Sequence, residues 1–163
     1  MCIRDRTIIK EEILKKLGMT NTSITLSKKH YENIAQGYDE EGKEAEIWID
    51  KVLTGAGSFL TNLADMLRFI RANLEQDYCE ISNELQKCHL PKYKKNVGLG
   101  WHLESINSDD EILWHNGGTG GCRTFIGLIK SKKIGLTILS NSTQDITDFG
   151  FNLITEIEKK AIR

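Results

Sequence analysis

One stretch of this chain concentrates residues that could do chemistry: Trp114-His115-Asn116-Gly117-Gly118-Thr119-Gly120-Gly121. Four glycines occupy five positions between two apolar runs, Ile112-Leu113-Trp114 and Thr124 to Ile129. A hairpin needs only about two such residues. The excess admits two readings: a glycine-rich turn, or a main chain bare enough for another group to lie against it. Three polar side chains stand in the same stretch. Asn116 and Thr119 offer hydrogen bonds, and His115 offers a charge that changes near neutral pH.

Other chemistries find less support. Cys2, Cys79, Cys88 and Cys122 include no Cys-x-x-Cys pair, and none has a metal-ligand spacing to a histidine, so no metal and no cofactor is expected. Cys79 and Cys88 are a possible disulfide pair in an oxidising compartment, and Cys122 is expected to pack as a small hydrophobe. No Gly-x-Ser-x-Gly elbow occurs, and no lysine has a serine three places before it. The nearest case is Thr7 before Lys10, at the start of a helix. His102 has no motif around it and is read as structural. His30 and His89 are read as loop residues.

The elements that must position the glycine stretch are legible in the hydrophobic period. The length of 163 residues suits one domain with its own core. A formal net charge of -1 argues against nucleic acid as a partner. No run approaches the ~20 apolar residues of a membrane span. Met1 to Arg6 fits neither a helix nor a strand period and resembles a translated sequencing adapter; it is set aside as a suspected non-native leader, and no secretory signal is visible. Residues 7–163 form the domain. Thr7 to Leu17 reads as an amphipathic helix with Ile9, Ile13, Leu14 and Leu17 inward and Gly18 as its stop. Residues 28–54 show no period and read as a long surface excursion.

The clearest helix follows Gly55-Ala56-Gly57-Ser58. Thr61 is its expected cap, Phe59 a staple, and Leu63, Leu67, Ile70 and Leu74 its buried face. A polar, basic connection leads to Asn96, densest in lysine from Lys87 to Lys95. Val97 to Glu104 then alternates as a strand, Asn107 to Asp110 turns, and strands are expected at Glu111–His115, Arg123–Ile129 and Ile134–Leu139. The last helix runs from about Asp145 to Lys160, with Ile146, Phe149, Leu153, Ile154 and Ile157 inward. The fold class is α+β: an antiparallel sheet flanked by helices.

The order of motifs resembles the serine β-lactamase and penicillin-binding-protein group, in its class C and esterase-like branch. Leu17-Gly18-Met19-Thr20-Asn21-Thr22, Ala35-Gln36-Gly37-Tyr38, Ala56 to Met66, Gly98-Leu99-Gly100-Trp101, His115 to Gly121 and Leu139-Ser140-Asn141 follow one another as that family's motifs do. The resemblance covers roughly residues 7–160. It implies the C-terminal part of a β-lactamase/transpeptidase-like fold, in which a serine attacks a carbonyl and forms an acyl-enzyme. The Gly118 backbone N–H would be one oxyanion donor, with His115 catalytic and Asn116, Gly117 and Thr119 contacting a small-molecule or peptide substrate.

The family's Ser-x-x-Lys nucleophile motif is missing from these residues. Tyr31-Glu32-Asn33 matches its Tyr-x-Asn only out of order. His115 replaces a permanently charged lysine, which points toward an ester, amide or D-amino-acid peptide rather than a dedicated β-lactam substrate. The resemblance also implies a periplasmic or extracellular setting. The chain alone is expected to be inactive. The alternative is a non-catalytic relative that binds peptidoglycan-like or acyl ligands.

Overall fold

The computed structural model describes residues 3–48, 57–91 and 96–161. Four antiparallel strands in the order β3-β4-β5-β6 form the main sheet: β3 (His102–Ser105), β4 (Glu111–Thr119), β5 (Cys122–Ile129) and β6 (Ile134–Ser140). Helix α3 (Leu63–Leu74) covers one face and helix α5 (Thr147–Ala161) the other. The period of two decides which residue meets which helix. Leu103, Leu113 and Leu128 pack with Ile70 of α3. Ile112 and Ile129 pack with Ile154 of α5. The α+β class, an antiparallel sheet flanked by helices, is what the hydrophobic period implies.

Several boundaries and faces differ from the sequence expectation. The first helix starts at Ile3 rather than Thr7: α1 (Ile3–Ile8) runs directly into a π-helix, Ile9–Leu14. Its i to i+5 winding includes Lys15 N to Lys10 O at 3.0 Å, which widens the turn, and Met19 N to Leu14 O at 2.8 Å closes the C-terminal cap at Gly18. Ile9, Leu14 and Leu17 therefore share the buried side, and Ile13 turns outward. Gly18 ends the segment as expected, at φ +68°. The strand expected from Val97 begins only at His102, because Gly98 N bonds Trp101 O at 2.9 Å and Gly100 takes φ +74°, closing a turn. The surface excursion carries regular structure: α2 (Lys28–Asn33) and a small hairpin of β1 (Gly37–Tyr38) and β2 (Glu44–Ala45). The basic connection carries α4 (Ser82–Lys87). Residues 49–56 and the lysines 92, 94 and 95 lie outside the described residues, as does Cys2. Cys79, Cys88 and Cys122 are free thiols.

Each flanking helix buries only part of its expected stripe: Ile70 and Leu74 of α3 and Ile154 of α5 pack on the sheet. In α3, Ile70, Ala72 and Asn73 are buried, while Leu63 and Leu67 stand exposed. Its cap is Asn62, which accepts from Asp65 N at 2.9 Å. Thr61 instead meets the Thr22 hydroxyl at 2.7 Å. In α5, Gly150, Ile154 and Glu158 face the sheet, and Phe149 and Ile157 are exposed. The cause lies in Phe125. Its ring occupies the space a side chain at position 150 would need, so only glycine lets the helix approach there.

Asp65 ties the N-terminal segment to α3. Its carboxylate is fully buried and accepts from Asn21 N and Thr22 Oγ1, both at 2.8 Å, and from Arg68 Nη1 at 3.0 Å. Ser23 and Leu60 add a two-residue bridge beside it. Behind α3, the buried His89 shares a bond with Asn73 Oδ1 at 2.9 Å and meets Trp101 edge-on at 5.4 Å. Among the described residues, no helix is long and apolar enough to cross a membrane.

Candidate functional site

The glycine stretch is mostly strand. β4 continues through Asn116, Gly117 and Gly118 to Thr119, and only Gly120 and Gly121 make the turn. Thr119 pairs with Cys122 across a two-residue loop in which Gly121 takes φ +71°. A side chain on Gly120 would collide with the Glu46 carbonyl, so the β1–β2 hairpin can sit directly on this turn. Tyr38 N donates to Gly121 O at 3.2 Å and to Asn141 O at 3.0 Å, and Asn141 Nδ2 donates to Gln36 O at 3.0 Å. The segments Ala35 to Tyr38 and Leu139 to Asn141 thus meet at the turn and hold it.

The outer edge of β4 is half open. β3 pairs with Glu111 to Trp114 only, so His115 to Thr119 have no strand partner on that side among the described residues. A groove of about 380 Å³ runs along the strand. His115, Asn116, Gly117, Gly118 and Thr119 all line it, opposite Phe59, Thr61 and Met66. Phe59 borders this groove instead of stapling α3. All five residues singled out from the sequence are therefore brought together on one strand.

Alternation sends their side chains to two sides. His115, in register with Ile126, shares the α3 side with Leu113 and Leu128. Asn116 points to the α5 side, where its Nδ2 donates to Thr147 Oγ1 at 2.8 Å. The Thr147 hydroxyl in turn donates to Asp145 Oδ1 at 2.6 Å. This bond holds the Asp145 carboxyl below its ordinary range, with the Thr147 backbone N–H helping. A second recess of about 260 Å³ lies there, lined by Asn116, Gly117, Gly118, Arg123, Asp145 and Thr147.

Thr61, Thr119, Thr124 and Thr137 line the main groove, and among the described residues neither a serine nor a lysine does. Cys122 also lines it, and burial pushes its thiol pKa up against a smaller opposing pull from Arg123. Such a thiol stays protonated and is a poor nucleophile. Tyr31 stands exposed on α2. Thr7 and Lys10 fall on either side of the junction between α1 and the π-helix. No cluster of three or more His, Cys, Asp or Glu among the described residues is placed to hold a metal.

Four contributors carried no motif. His102 stacks on His115 with ring centroids 5.6 Å apart and tilts over Trp114 at 4.8 Å. Thr147 and Asp145 fix Asn116. Arg123 faces Gly118 across the hairpin. Only Arg123 had a readable signal, since a two-residue loop at Gly120-Gly121 dictates that pairing.

Comparison with known proteins follows this geometry. Residues 6–158 match the family model described as Beta-lactamase. A β-lactamase of Pseudomonas fluorescens is 22% identical over 82% of this chain and 47% of its own length. An unguisins hydrolase of Aspergillus campestris is 27% identical over 94% of this chain and 32% of its own. Among solved structures, a D-alanine carboxypeptidase of Burkholderia cenocepacia superposes with a TM-score of 0.83 at 19% identity, covering 93% of this chain and 55% of that one. A class C β-lactamase gives 0.81 at 18%, covering 93% and 52%. The chain spans less than half the length of these curated relatives.

Proposed function

The chain belongs to the β-lactamase family, and from that premise we propose that it forms the substrate wall of a serine hydrolase acting through an acyl-enzyme. The observation that carries this is the edge of β4 at His115 to Thr119, which has no strand partner among the described residues, is bare of side chains at Gly117 and Gly118, and borders a groove over the α3 face of the sheet. An acyl substrate can lie on such an edge as an added strand. A serine hydroxyl would attack its carbonyl carbon, and the carbonyl oxygen would take up the negative charge of the tetrahedral intermediate. The Gly118 N–H is the proposed donor to that oxygen. Collapse would expel the alcohol or amine with a proton, and water would then release the acid. One fixed donor of this kind is worth about 3–4 kcal/mol in the transition state.

Asn116 and Thr119 are the proposed substrate contacts, together with the Gly117 backbone, and His115 is the proposed catalytic side chain beside them. Ser-x-x-Lys does not occur in these 163 residues. In this proposal the nucleophile and its lysine come from polypeptide outside residues 7–163. The substrate is an ester, an amide or a D-amino-acid peptide. The second reading is a non-catalytic relative holding an acyl or peptidoglycan-like ligand on the same edge, which a full-length sequence lacking Ser-x-x-Lys would favour.

Two measurements decide. The 163-residue chain should show no turnover of a chromogenic ester or β-lactam and no covalent label from a serine-directed fluorophosphonate. Turnover and labelling of the purified chain would refute the proposed division of the site. Genomic sequence upstream of Thr7 should encode Ser-x-x-Lys followed by Tyr-x-Asn, and a longer chain without them selects the binding role.

A further inference from the structure

Two of the threonines that line the main groove have their hydroxyl protons already committed. Thr22 Oγ1 and Thr61 Oγ1 lie 2.7 Å apart, a pair in which either oxygen could donate. Asp65 decides the direction. Its carboxylate is fully buried, pairs with Arg68 at 3.0 Å, and accepts from Asn21 N and Thr22 Oγ1, both at 2.8 Å. A carboxylate held by these three donors has no proton to give. The single Thr22 proton therefore goes to Asp65, and Thr22 must accept from Thr61. On the sheet side of the groove, Thr137 spends its proton on the Phe125 carbonyl at 3.2 Å.

Thr61 and Thr137 are thereby acceptors only. Each oxygen keeps lone pairs that meet no donor among the described residues. An acceptor shut away from water without a donor is costly, so an occupant of the groove is favoured when it brings one. The rest of the lining sets the charge of that donor. Phe59, Met66, Ile126 and Leu139 make much of the wall apolar, and among the described residues no Asp or Glu lines it. An ammonium there would lose its hydration without gaining a counter-charge. A neutral N–H loses far less.

We infer that Thr61 is a specificity-determining residue that receives the neutral N–H of an amide carried on the acyl part of the substrate, with Thr137 as a second acceptor. Thr22 and Asp65 are positioning residues that fix the polarity of Thr61 from behind. The inference rests on the acyl-transfer proposal and names the substrate class within it: acyl compounds with an amide N–H in place of an ester oxygen. The selection is one of hydrogen-bond direction, since an ester oxygen would set lone pair against lone pair. The groove, about 380 Å³ and bordered by His115 to Thr119, has room for an acyl substituent of several heavy atoms.

The test reads binding on the 163-residue chain, so it does not depend on turnover. N-acetyl-D-alanine methyl ester and O-acetyl-D-lactic acid methyl ester differ only in N–H against O. Each is titrated into ¹⁵N-labelled protein while the Thr61 and Gly117 backbone amides are followed. The alanine compound is expected to bind at least about tenfold more tightly. Thr61→Val removes the acceptor and should bring the ratio to about threefold or less, Thr137 keeping the remainder. Thr61→Ser should keep the native ratio. Thr22→Val touches no ligand but frees the Thr61 proton, so the lactate compound should gain affinity and the ratio should fall. A merely structural Thr22 would weaken both compounds alike. Binding of neither compound or equal binding of both by the native chain overturns the inference, as does a native ratio in Thr61→Val or a parallel loss in Thr22→Val. Should a valine variant fail to fold, the native chain and Thr61→Ser decide: a tenfold ratio in both supports the inference, and its absence from either overturns it. The acyl-transfer proposal is judged separately, by covalent fluorophosphonate labelling of the assembled enzyme.

Discussion

Replacing Asp65 with alanine should loosen the N-terminal segment from the rest of the molecule. The carboxylate accepts two short bonds, from Asn21 N and Thr22 Oγ1 at 2.8 Å, and a third from Arg68 at 3.0 Å. Hydrogen bonds to a buried charge are worth about 1.5–3 kcal/mol each. The Arg68 side chain is 41% exposed, so its pair with Asp65 adds no more than about 1 kcal/mol. Part of the loss returns, because the Asn21 N–H can reach water. Thr22 is buried and keeps less of that compensation. The expected net cost is about 3–5 kcal/mol. For a domain of this length, at ~2–4 °C per kcal/mol, melting should fall by about 10–15 °C. Thermal unfolding followed by circular dichroism gives the number. Asp65→Asn keeps the volume but turns an NH₂ toward Arg68, and should cost about half as much. Asp65→Ala combined with Thr22→Val should cost less than the sum of the two single changes, by about 1 kcal/mol. A loss under 1 kcal/mol for Asp65→Ala, or strict additivity with Thr22→Val, would refute the idea that this carboxylate joins the two segments.

Other expectations concern acid, packing and association. His89 is 3% exposed, and burial, then the Lys130 charge, pushes its pKa down to about 4. The unfolded chain takes up that proton first, so this contribution is complete above about pH 6.5 and drains away as pH falls toward 4. It amounts to about 3 kcal/mol at most. The difference in unfolding free energy between native and His89→Gln protein should slope across that window, and a constant difference would contradict it. Gly120→Ala would drive a methyl group into the Glu46 carbonyl. It should cost about 1–3 kcal/mol and raise amide exchange at Tyr38, whereas unchanged exchange would argue against hairpin docking on the turn. Leu63, Leu67, Phe149 and Ile157 are exposed on the helices flanking the sheet, and among the described residues β6 ends it with no further strand on its edge. The isolated chain should associate at micromolar concentration, and Phe149→Lys with Ile157→Lys should reduce this in light scattering. A strictly monomeric native chain would disprove that expectation.

The sheet was legible in the sequence because its strands alternate and its turns carry Asn, Asp, Gly and Lys at the right places. The helices were legible as helices and only partly in their faces. The expected face of α3 holds at Ile70 and Leu74, which meet the sheet, and fails at Leu63 and Leu67, while Ala72 packs on the N-terminal segment. In α5 the deciding residue is Gly150, an apparent helix weakness that admits the Phe125 ring. Neither is visible to a period that counts only large apolar residues. The π winding of Ile9–Leu14 is invisible for a similar reason, since i+4 and i+5 apolar positions were both occupied. The five glycine-strand positions were legible as a group because their pattern is local. Thr147 and Asp145 were not, because their link to Asn116 spans about thirty residues of chain and rests on single hydrogen bonds.

The loop between β4 and β5 has only two residues, Gly120 and Gly121, and that length has a chemical consequence. Side chains alternate along each strand, so adding one residue at this turn would slip β5 by a single position and reverse the face of everything on it. Arg123 would leave the glycine it covers, and the neutral Cys122 or Thr124 would be presented in its place. Turn length here works as a charge selector: one inserted codon would change the site's electrostatics without altering any residue that lines it.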